Sequence, residues 1–303
     1  MNVQVPAIVV GVDGSPEAML AAEWAAQEAH RRELPLLLIH AFTDPAAGYL
    51  SGYVVPQELL DALQNASRHV LDETADRIRA RFPDVPVNTD SVHRDPRRAL
   101  VDASTDAVLT VVGTRGRGKI PEVIIGSVAL YVASHANTPV AVIPPTTDIS
   151  DGAPAGPVLL GVAGSADSET AVAFAFDEAA VRHTYLLAVL VWDDLALSGF
   201  AEGAGETRRV EEDEEHVVLS EQLAGFADKY PDVPTRQIVL RGDPAGRLLS
   251  YAGGLPTGHR PSVVVIGSRS RGRAARALLA ANSQQVIGTS LDPVIVVRGD
   301  GKP

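Results

Sequence analysis

The sequence predicts a doubly wound α/β protein made of two tandem domains. Three observations support this prediction: a length of 303 residues, an internal repeat that relates Gly11 to Gly161, and short apolar runs that alternate with helical stretches in each half. A chain of this length is about twice the common domain size. Each domain therefore has enough residues to bury a core of its own.

The two halves carry the same motifs in the same order. The matching pairs are IVVGVDGSPEA (8–18) with LLGVAGSADSE (159–169), HRDPRRAL (93–100) with LRGDPAGRLL (240–249), and GTRGRG (113–118) with GSRSRG (267–272). Between the halves, residues 144–157 are rich in proline, glycine and small polar residues, which is the composition of a linker. We therefore predict one domain over residues 1–147 and a second over residues 156–299.

Five short runs bounded by glycine, proline or aspartate predict the strands of the first domain. They are AIVVGV (7–12), LPLLLIH (34–40), VPVNTDSV (85–92), AVLTVVG (107–113) and PVAVIP (139–144). Aliphatic runs of this kind are typical of strands buried on both faces of a parallel sheet. Their alternation with helices predicts, in each domain, a five-stranded parallel sheet with helices on both faces and right-handed crossovers.

Capping signals mark the predicted helices. Ser15 followed by Pro16 is a good helix start, and an alanine-rich stretch follows it. Residues 57–81 keep helical spacing with a charged outer face. Asp95 and Asp243, each followed by proline, repeat the capping signal before a short helix in each domain.

Composition and charge exclude several classes of function. The sequence has no cysteine, which excludes disulfides, thiolate nucleophiles and thiolate metal sites. A formal net charge of −12 argues against nucleic-acid binding, because it repels a polyanion at long range. No apolar run reaches the roughly 18 residues of a membrane span, and the start lacks the marks of a signal peptide. We therefore expect a cytoplasmic protein with no membrane partner.

The segment from Gly113 to Ser127 is the strongest candidate for a binding site. Gly113 ends a predicted strand, at the sheet edge where doubly wound proteins bind ligands. Glycines let backbone N–H groups approach a ligand, and Gly126 with Ser127 precedes a helical stretch whose first amides face the same hollow. Asp13 directly follows a predicted strand, where it can reach a ribose hydroxyl or a metal-bound water. Ala41 follows the second strand, where its main-chain groups could contact a base. Converging donors of this kind suit a phosphate chain.

Taken together, the motifs resemble the universal stress protein family in its tandem two-domain form. GVDGSPEA, LLLIHAF, RDPRRAL and G-x2-G-x9-G-S before the final strand carry the resemblance, which covers nearly the whole chain in two copies. It implies a Rossmann-like fold of the adenine nucleotide alpha hydrolase type, and ATP as the ligand, with or without Mg2+. The ligand-binding residues it implies are Gly11, Val12, Asp13, Ala41, Val112, Gly113, Gly116, Gly126, Ser127 and Val128. Arg115, in the same loop, either clamps the γ-phosphate or keeps the loop soluble.

The second copy departs from the glycine motif. An alignment without gaps pairs Ala163 with Asp13, Ser270 with Gly116, Ala280 with Gly126 and Ala281 with Ser127. A slip of two residues would instead bring Asn282 and Ser283 into the glycine–serine role. The interpretation we favour is one competent site in residues 1–145 and a second site that is weak or empty.

Three classes of function stay open. The first is a regulatory protein in which ATP orders the glycine loop and the loaded form acts through partners. The second is a slow ATPase with Asp13 beside the phosphates, although no P-loop lysine motif is present. The third is an interaction protein that forms a homodimer, or a pseudo-dimer of its own domains, through the terminal strands. We expect the first, with no catalytic residue and no protein-only metal site. A dinucleotide oxidoreductase is disfavoured because GVDGSP lacks the G-x-G-x-x-G pattern.

Overall fold

The chain divides into two compact units. In the computed structural model, residue contacts separate Met1–Ile149 from Ser150–Pro303. The structure describes residues 6–43, 56–114, 116, 125–150, 156–162, 168–192, 204–256, 259–268 and 281–299, with backbone alone for 204–212. The two predicted domains fall within these two units.

The first unit alternates strands and helices. Its elements are β1 (Ala7–Gly11), α1 (Pro16–Arg32), β2 (Leu36–Phe42), α2 (Gln57–Arg81), β3 (Val87–His93), α3 (Pro96–Ala103), a 3-10 turn (Ser104–Asp106), β4 (Ala107–Gly113), α4 (Ser127–His135) and β5 (Val140–Ile143). Every strand lies within two or three residues of its predicted bounds, and α2 begins and ends where the helical spacing does.

The second unit repeats the same series of elements. They are β6 (Val158–Val162), α5 (Glu169–Val181), β7 (Leu186–Trp192), α6 (Ala204–Lys229), β8 (Thr235–Arg241), α7 (Pro244–Gly254), β9 (Val263–Ser268), α8 (Ala281–Thr289) and β10 (Val294–Arg298). The repetition of element order follows from the repetition of sequence motifs.

Each unit contains five parallel strands in the same spatial order. The order is β3-β2-β1-β4-β5 in the first unit and β8-β7-β6-β9-β10 in the second. The chain winds outward from the central strand in one direction, returns to the centre, and winds outward in the other direction. This confirms the predicted doubly wound fold. The winding reverses between β1 and β4, and between β6 and β9.

The helices form two layers over each sheet. In the first unit α1 contacts α2, and α3 contacts α4; in the second unit α5 contacts α6, and α7 contacts α8. With the right-handed crossovers that the rule for parallel strands predicts, each pair lies on its own face of the sheet. The central strands are covered on both faces, so that Ile8, Val10, Leu109 and Val111 are 1% exposed or less. Burying a side chain of this size stabilises the fold by roughly 1.5–3 kcal/mol.

The predicted caps fix the starts of three helices. Ser15 Oγ accepts a hydrogen bond from Ala18 N at 3.1 Å at the start of α1. Asp95 accepts from Arg97 N at 2.9 Å before α3, and Asp243 accepts from Gly246 N at 2.6 Å before α7. Each cap satisfies amides that the first helical turn leaves without a partner.

A buried ion pair at the end of the first helix recurs in the second unit. Arg32 Nε lies 2.7 Å from Glu28 Oε1, and Arg182 Nε lies 2.6 Å from Glu178 Oε1. Both glutamates are fully buried. A buried carboxylate is costly unless a cation and hydrogen bonds compensate it. These pairs could not be predicted from the sequence, because an alanine-rich helix gives no sign of which charged residues face inward.

The start of the predicted linker is attached to the first unit. The carbonyl oxygen of Ile149 accepts hydrogen bonds from Gln27 Nε2, at 3.0 Å, and from the Arg81 guanidinium. Arg81 also pairs with Glu23 at 2.9 Å. The first unit therefore continues six residues beyond the end of β5 at Ile143.

Candidate functional site

A cavity of about 620 Å3 lies where the strand order of the first unit reverses. The carboxyl ends of β1, β2 and β4 and the starts of α3 and α4 line it. Ten of the predicted ligand-binding residues are among its lining residues: Gly11, Val12, Asp13, Ala41, Val112, Gly113, Gly116, Gly126, Ser127 and Val128. Arg115 lies outside the described residues. The structure brings the ten residues together, and their binding of a nucleotide stays a prediction.

The cavity also has walls that the sequence analysis missed. Ile39 lies two residues before Ala41 on the same face of β2, and Leu100 lies one helical turn after Pro96 on α3. These side chains add apolar surface to the lining of the cavity. The available signal was spacing, because strand residues two apart and helix residues four apart lie on the same face.

A backbone hydrogen bond joins the two ends of the glycine segment. Thr114 N donates to Ile143 O at 3.0 Å, which continues the pairing of β4 with β5. Gly126 N then donates to Thr114 O at 2.7 Å. The segment between Thr114 and Gly126 therefore leaves and returns at one point beside the cavity.

Gly116 and the Asp13 carboxylate lie in close contact. A Cβ atom at position 116 would collide with Asp13 Oδ2, so a side chain there must displace either the carboxylate or the loop. Asp13 Oδ1 accepts a hydrogen bond from Ser15 N at 3.0 Å, which orients the carboxylate against the start of α1. Asp13 is the only ionisable side chain among the described lining residues.

The strand-to-helix packing behind the cavity is equally tight in both units. A Cβ atom on Gly11 would lie 2.7 Å from Leu100 Cδ1, and one on Gly161 would lie 2.9 Å from Leu248 Cδ2. A glycine at this point lets α3 or α7 approach the central strand closely. This part of the motif therefore serves the fold of both repeats, whether or not a ligand is bound.

The start of α4 offers hydrogen-bond donors to the cavity. Gly126 occupies the capping position, and no side chain caps the helix in the part of the chain that is described. The amides of Ser127 and Val128 belong to the first turn, whose N–H groups lack partners within the helix. The helix dipole adds a partial positive charge at this end. An anionic or acceptor-rich group is the natural partner for such a helix end.

Thr114 adds an independent sign of a missing partner. It is 5% exposed and lines the cavity, and its buried Oγ1 atom has no hydrogen-bond partner among the described residues. A buried hydroxyl left unpaired costs roughly 1–3 kcal/mol, so native proteins rarely keep one without a reason. An uncapped helix, a close-fitting glycine and an orphaned hydroxyl together fit a ligand rich in acceptor oxygens, as a nucleotide is.

The second unit has a cavity of about 490 Å3 at the corresponding place. From the end of the helix to the next strand, the second unit keeps the spacing of the first, since Thr289 and Val294 match His135 and Val140. This spacing agrees with the alignment without gaps, and the role of Asn282 and Ser283 stays a prediction. Both residues line this cavity. Ala163, Ser270 and Ala280 lie outside the described residues.

The described residues contain neither a side-chain cluster suited to a metal ion nor a helix suited to a membrane. Within those ranges, no group of three or more His, Cys, Asp or Glu residues is arranged to hold a metal ion. None of the helices described combines the length and the apolar character needed to cross a membrane.

The fold and the cavity define a class: tandem doubly wound α/β units, the first with a small-ligand cavity where its strand order reverses. The family model described as universal stress protein family matches residues 5–144 and 155–298. Universal stress proteins of Mycobacterium tuberculosis H37Rv and Mycolicibacterium smegmatis are 35% and 33% identical over 294 residues, which is 96% of each chain. The crystal structure of a universal stress protein from Archaeoglobus fulgidus matches with a TM-score of 0.69 at 18% identity, covering 98% of this chain and 97% of that one. The chain belongs to the universal stress protein family, with one copy in each unit.

Proposed function

We propose that the protein is a regulatory protein of the stress response, acting in the cytoplasm, whose first unit binds ATP. The observation that carries this proposal is the convergence of the ten predicted residues on one cavity. The cavity lies at the point of strand reversal, where doubly wound proteins bind their ligands. The loaded form then acts through protein partners.

Different residues of the first unit contact the base, the ribose and the phosphates of the nucleotide. Main-chain groups at Ala41 and the apolar side chain of Ile39 hold the base, and Asp13 accepts a hydrogen bond from the ribose. The phosphate oxygens accept hydrogen bonds from the amides at the start of α4 and from the hydroxyl groups of Ser127 and Thr114. Each of these groups lines the same cavity.

The charge of the cavity favours ATP together with Mg2+. The only ionisable side chain among the described lining residues is a carboxylate, Asp13, so these residues supply no cation to a triphosphate. Mg2+ binds phosphate oxygens and keeps several of its waters, so it needs few protein ligands. It would supply the positive charge that the amides and the helix dipole only partly provide.

The proposed role is binding and not catalysis. Phosphoryl transfer needs a positioned base or nucleophile in addition to phosphate clamps and a metal ion. Asp13 is the one described lining residue suited to act as a base, and Ser15 N already engages its Oδ1 atom at 3.0 Å. The slow ATPase is tested by phosphate release: release well above background that is lost in Asp13→Ala would replace binding with hydrolysis as the function.

Counting the nucleotide bound to the purified protein tests the proposal. The protein is denatured, and the released nucleotide is identified and counted per chain, for the native sequence and for Gly126→Val. We expect about one ATP per native chain and none for the variant, because Gly126 lines the cavity at the start of α4 and a valine there should take space from the ligand. Two per chain would show that the second unit also binds. No nucleotide, with no binding on addition of ATP and Mg2+, would contradict the proposal.

The oligomeric state is a separate proposal. We propose that the protein forms either a homodimer or a pseudo-dimer of its own domains through the apolar terminal strands, because a strand edge left unpaired invites pairing. Light scattering on the purified protein measures its mass directly. A mass that stays at 31.9 kDa over a wide range of concentrations would contradict the homodimer.

A further inference from the structure

A second concavity, of about 490 Å3, lies on the first unit beside α3 and α4. It shares no lining residue with the nucleotide cavity. Its polar lining consists of three arginines, two aspartates and one tyrosine: Arg94, Arg97, Arg98, Asp95, Asp102 and Tyr131. We call this surface the arginine concavity.

Cations outnumber carboxylates in the arginine concavity. Arg94 pairs with Asp102, and Arg97 pairs with Asp95 at 2.7 Å. The hydrogen bond from Arg97 holds the pKa of the Asp95 carboxyl below its ordinary value. Arg98 forms no ion pair with any described residue, so one positive charge stays unbalanced in a chain whose formal net charge is −12.

The geometry already shows how this surface holds carboxylates. Arg97 presents two nitrogens to Asp95, with Nε at 3.0 Å from Oδ1 and Nη2 at 2.7 Å from Oδ2. This is the bidentate arrangement that makes arginine selective for planar anions. The Arg97 guanidinium lies 5.6 Å from the centre of the Tyr131 ring, in a cation–π contact.

The second unit serves as a comparison with the same fold. Asp95, Pro96 and Leu100 have the counterparts Asp243, Pro244 and Leu248, which keep the helix cap and the packing on the central strand. Four other residues of the arginine concavity are not kept: Ala245, Gly246, Ser250 and Gln285 stand in place of Arg97, Arg98, Asp102 and Tyr131. The repeat therefore folds without these side chains, and packing does not explain them.

The helices of the arginine concavity also line the nucleotide cavity. On α3, Leu100 borders the nucleotide cavity while Arg97 borders the arginine concavity. On α4, Ser127 borders the nucleotide cavity, and Tyr131 lies one turn further on, in the arginine concavity. A ligand that changes the spacing of α3 and α4 on one side changes it on the other.

We propose that the arginine concavity docks an acidic segment of a partner protein, and that nucleotide in the neighbouring cavity changes its affinity. The docking itself is independent of the proposed ATP binding, and the coupling rests on it. Carboxylates of the segment pair with Arg98 and share the guanidinium groups of Arg94 and Arg97. A long polyanion such as nucleic acid is disfavoured, because the net charge of the chain repels it along its whole length.

Fluorescence anisotropy with a labelled hexaglutamate peptide tests the docking on the full chain. We expect the peptide to bind at low ionic strength, and the double variant Arg97→Ala, Arg98→Ala to bind it roughly tenfold more weakly. Arg247→Ala removes an exposed arginine from the corresponding helix of the second unit and is the matched control, with an expected change below about twofold. No binding by the native protein, or an equal loss in the control, overturns the docking.

Two further experiments test whether the surface binds nucleic acid instead, and whether ATP changes its affinity for the peptide. A labelled oligothymidylate that binds through the same arginines and displaces the peptide would assign the surface to nucleic acid and overturn the acidic segment. To test the coupling, the peptide titration is repeated with ATP and Mg2+. Equilibrium dialysis first measures how much ATP the chain binds under these conditions. A peptide affinity that shifts about threefold or more in the native protein and stays constant in Gly126→Val supports the coupling. An unchanged affinity in a chain shown to hold ATP overturns the coupling and leaves the docking standing.

Discussion

At the scale of single residues, the contact between Gly116 and Asp13 is the most restrictive feature of the site. We expect Gly116→Ala to weaken ATP binding by roughly tenfold, equivalent to about 1.4 kcal/mol, because the new Cβ displaces the carboxylate. Isothermal titration calorimetry measures this change.

Gly225→Ala is the matched control for that substitution. Gly225 lies within α6, and a Cβ there would meet no atom within 4 Å. Alanine in a helix interior is more stable than glycine by roughly 0.5–1 kcal/mol, so this variant should be slightly more stable and bind ATP normally. Equal affinities for Gly116→Ala and Gly225→Ala would contradict the role given to Asp13.

The Thr114 hydroxyl leads to a prediction in which two measurements move in opposite directions. Thr114→Val removes a buried hydroxyl that has no hydrogen-bond partner among the described residues, so the ligand-free protein should gain about 1 kcal/mol and melt roughly 2–4 °C higher. ATP affinity should fall a fewfold, because the hydroxyl no longer pairs with the ligand.

Thr110→Val provides the control on the same strand. Thr110 is fully buried, and its Oγ1 lies 3.2 Å from Thr138 Oγ1, so its hydroxyl has a partner. This substitution should lower the melting temperature and leave ATP affinity unchanged. A lower melting temperature in Thr114→Val would mean that its hydroxyl is paired within the protein.

At the scale of secondary structure, the cap of α3 should make stability depend on pH. Arg97 lowers the pKa of the Asp95 carboxyl in the folded state below its unfolded value of about 3.9. A lowered pKa means that the stabilising contribution is complete above about pH 4 and is lost as the pH falls through the folded-state pKa.

Urea unfolding of Asp95→Ala tests the contribution of this cap. The variant should be roughly 1 kcal/mol less stable than the native protein at pH 7, and the difference should shrink below about pH 4. Asp243→Ala removes the equivalent cap from α7 and should cost a similar amount at pH 7. A difference for Asp95→Ala that grows in acid would contradict the sign of the pKa shift.

The elements also show which features a sequence can predict. Helix caps and strands depend on residues that are neighbours in the sequence. Ser15 therefore predicted the start of α1, and the apolar runs predicted the central strands, at the correct positions. The cavity walls at Leu100 and the buried pair of Glu28 with Arg32 depend on residues that meet only after folding. The orphaned hydroxyl of Thr114 depends on what is absent around it, which no local pattern records.

At the scale of the whole molecule, the attachment of Ile149 to the first unit should decide where proteases cut. Limited digestion with proteinase K followed by mass measurement should give a first fragment that retains Ile149, because Gln27 and Arg81 hold its carbonyl. In the double variant Gln27→Ala, Arg81→Ala the fragment should be trimmed back toward Pro144.

Arg79→Ala is the control for this digestion, since Arg79 is an exposed arginine on the same helix whose hydrogen bond goes to Val87 O and whose ion pair is with Asp76. Its fragment should end where the native one does. Equal trimming in the control and the double variant would mean that general loosening of α2, and not the loss of the Ile149 contacts, exposes the chain.

The same attachment sets the place at which the gene should be divided. An expression fragment ended at residue 144, where the family match of the first copy stops, would leave Gln27 and Arg81 without their acceptor. A fragment that runs through Ile149 keeps both hydrogen bonds and closes on a residue the first unit already holds. Chimaeras that exchange one repeat for that of a relative should join after Ile149 for the same reason.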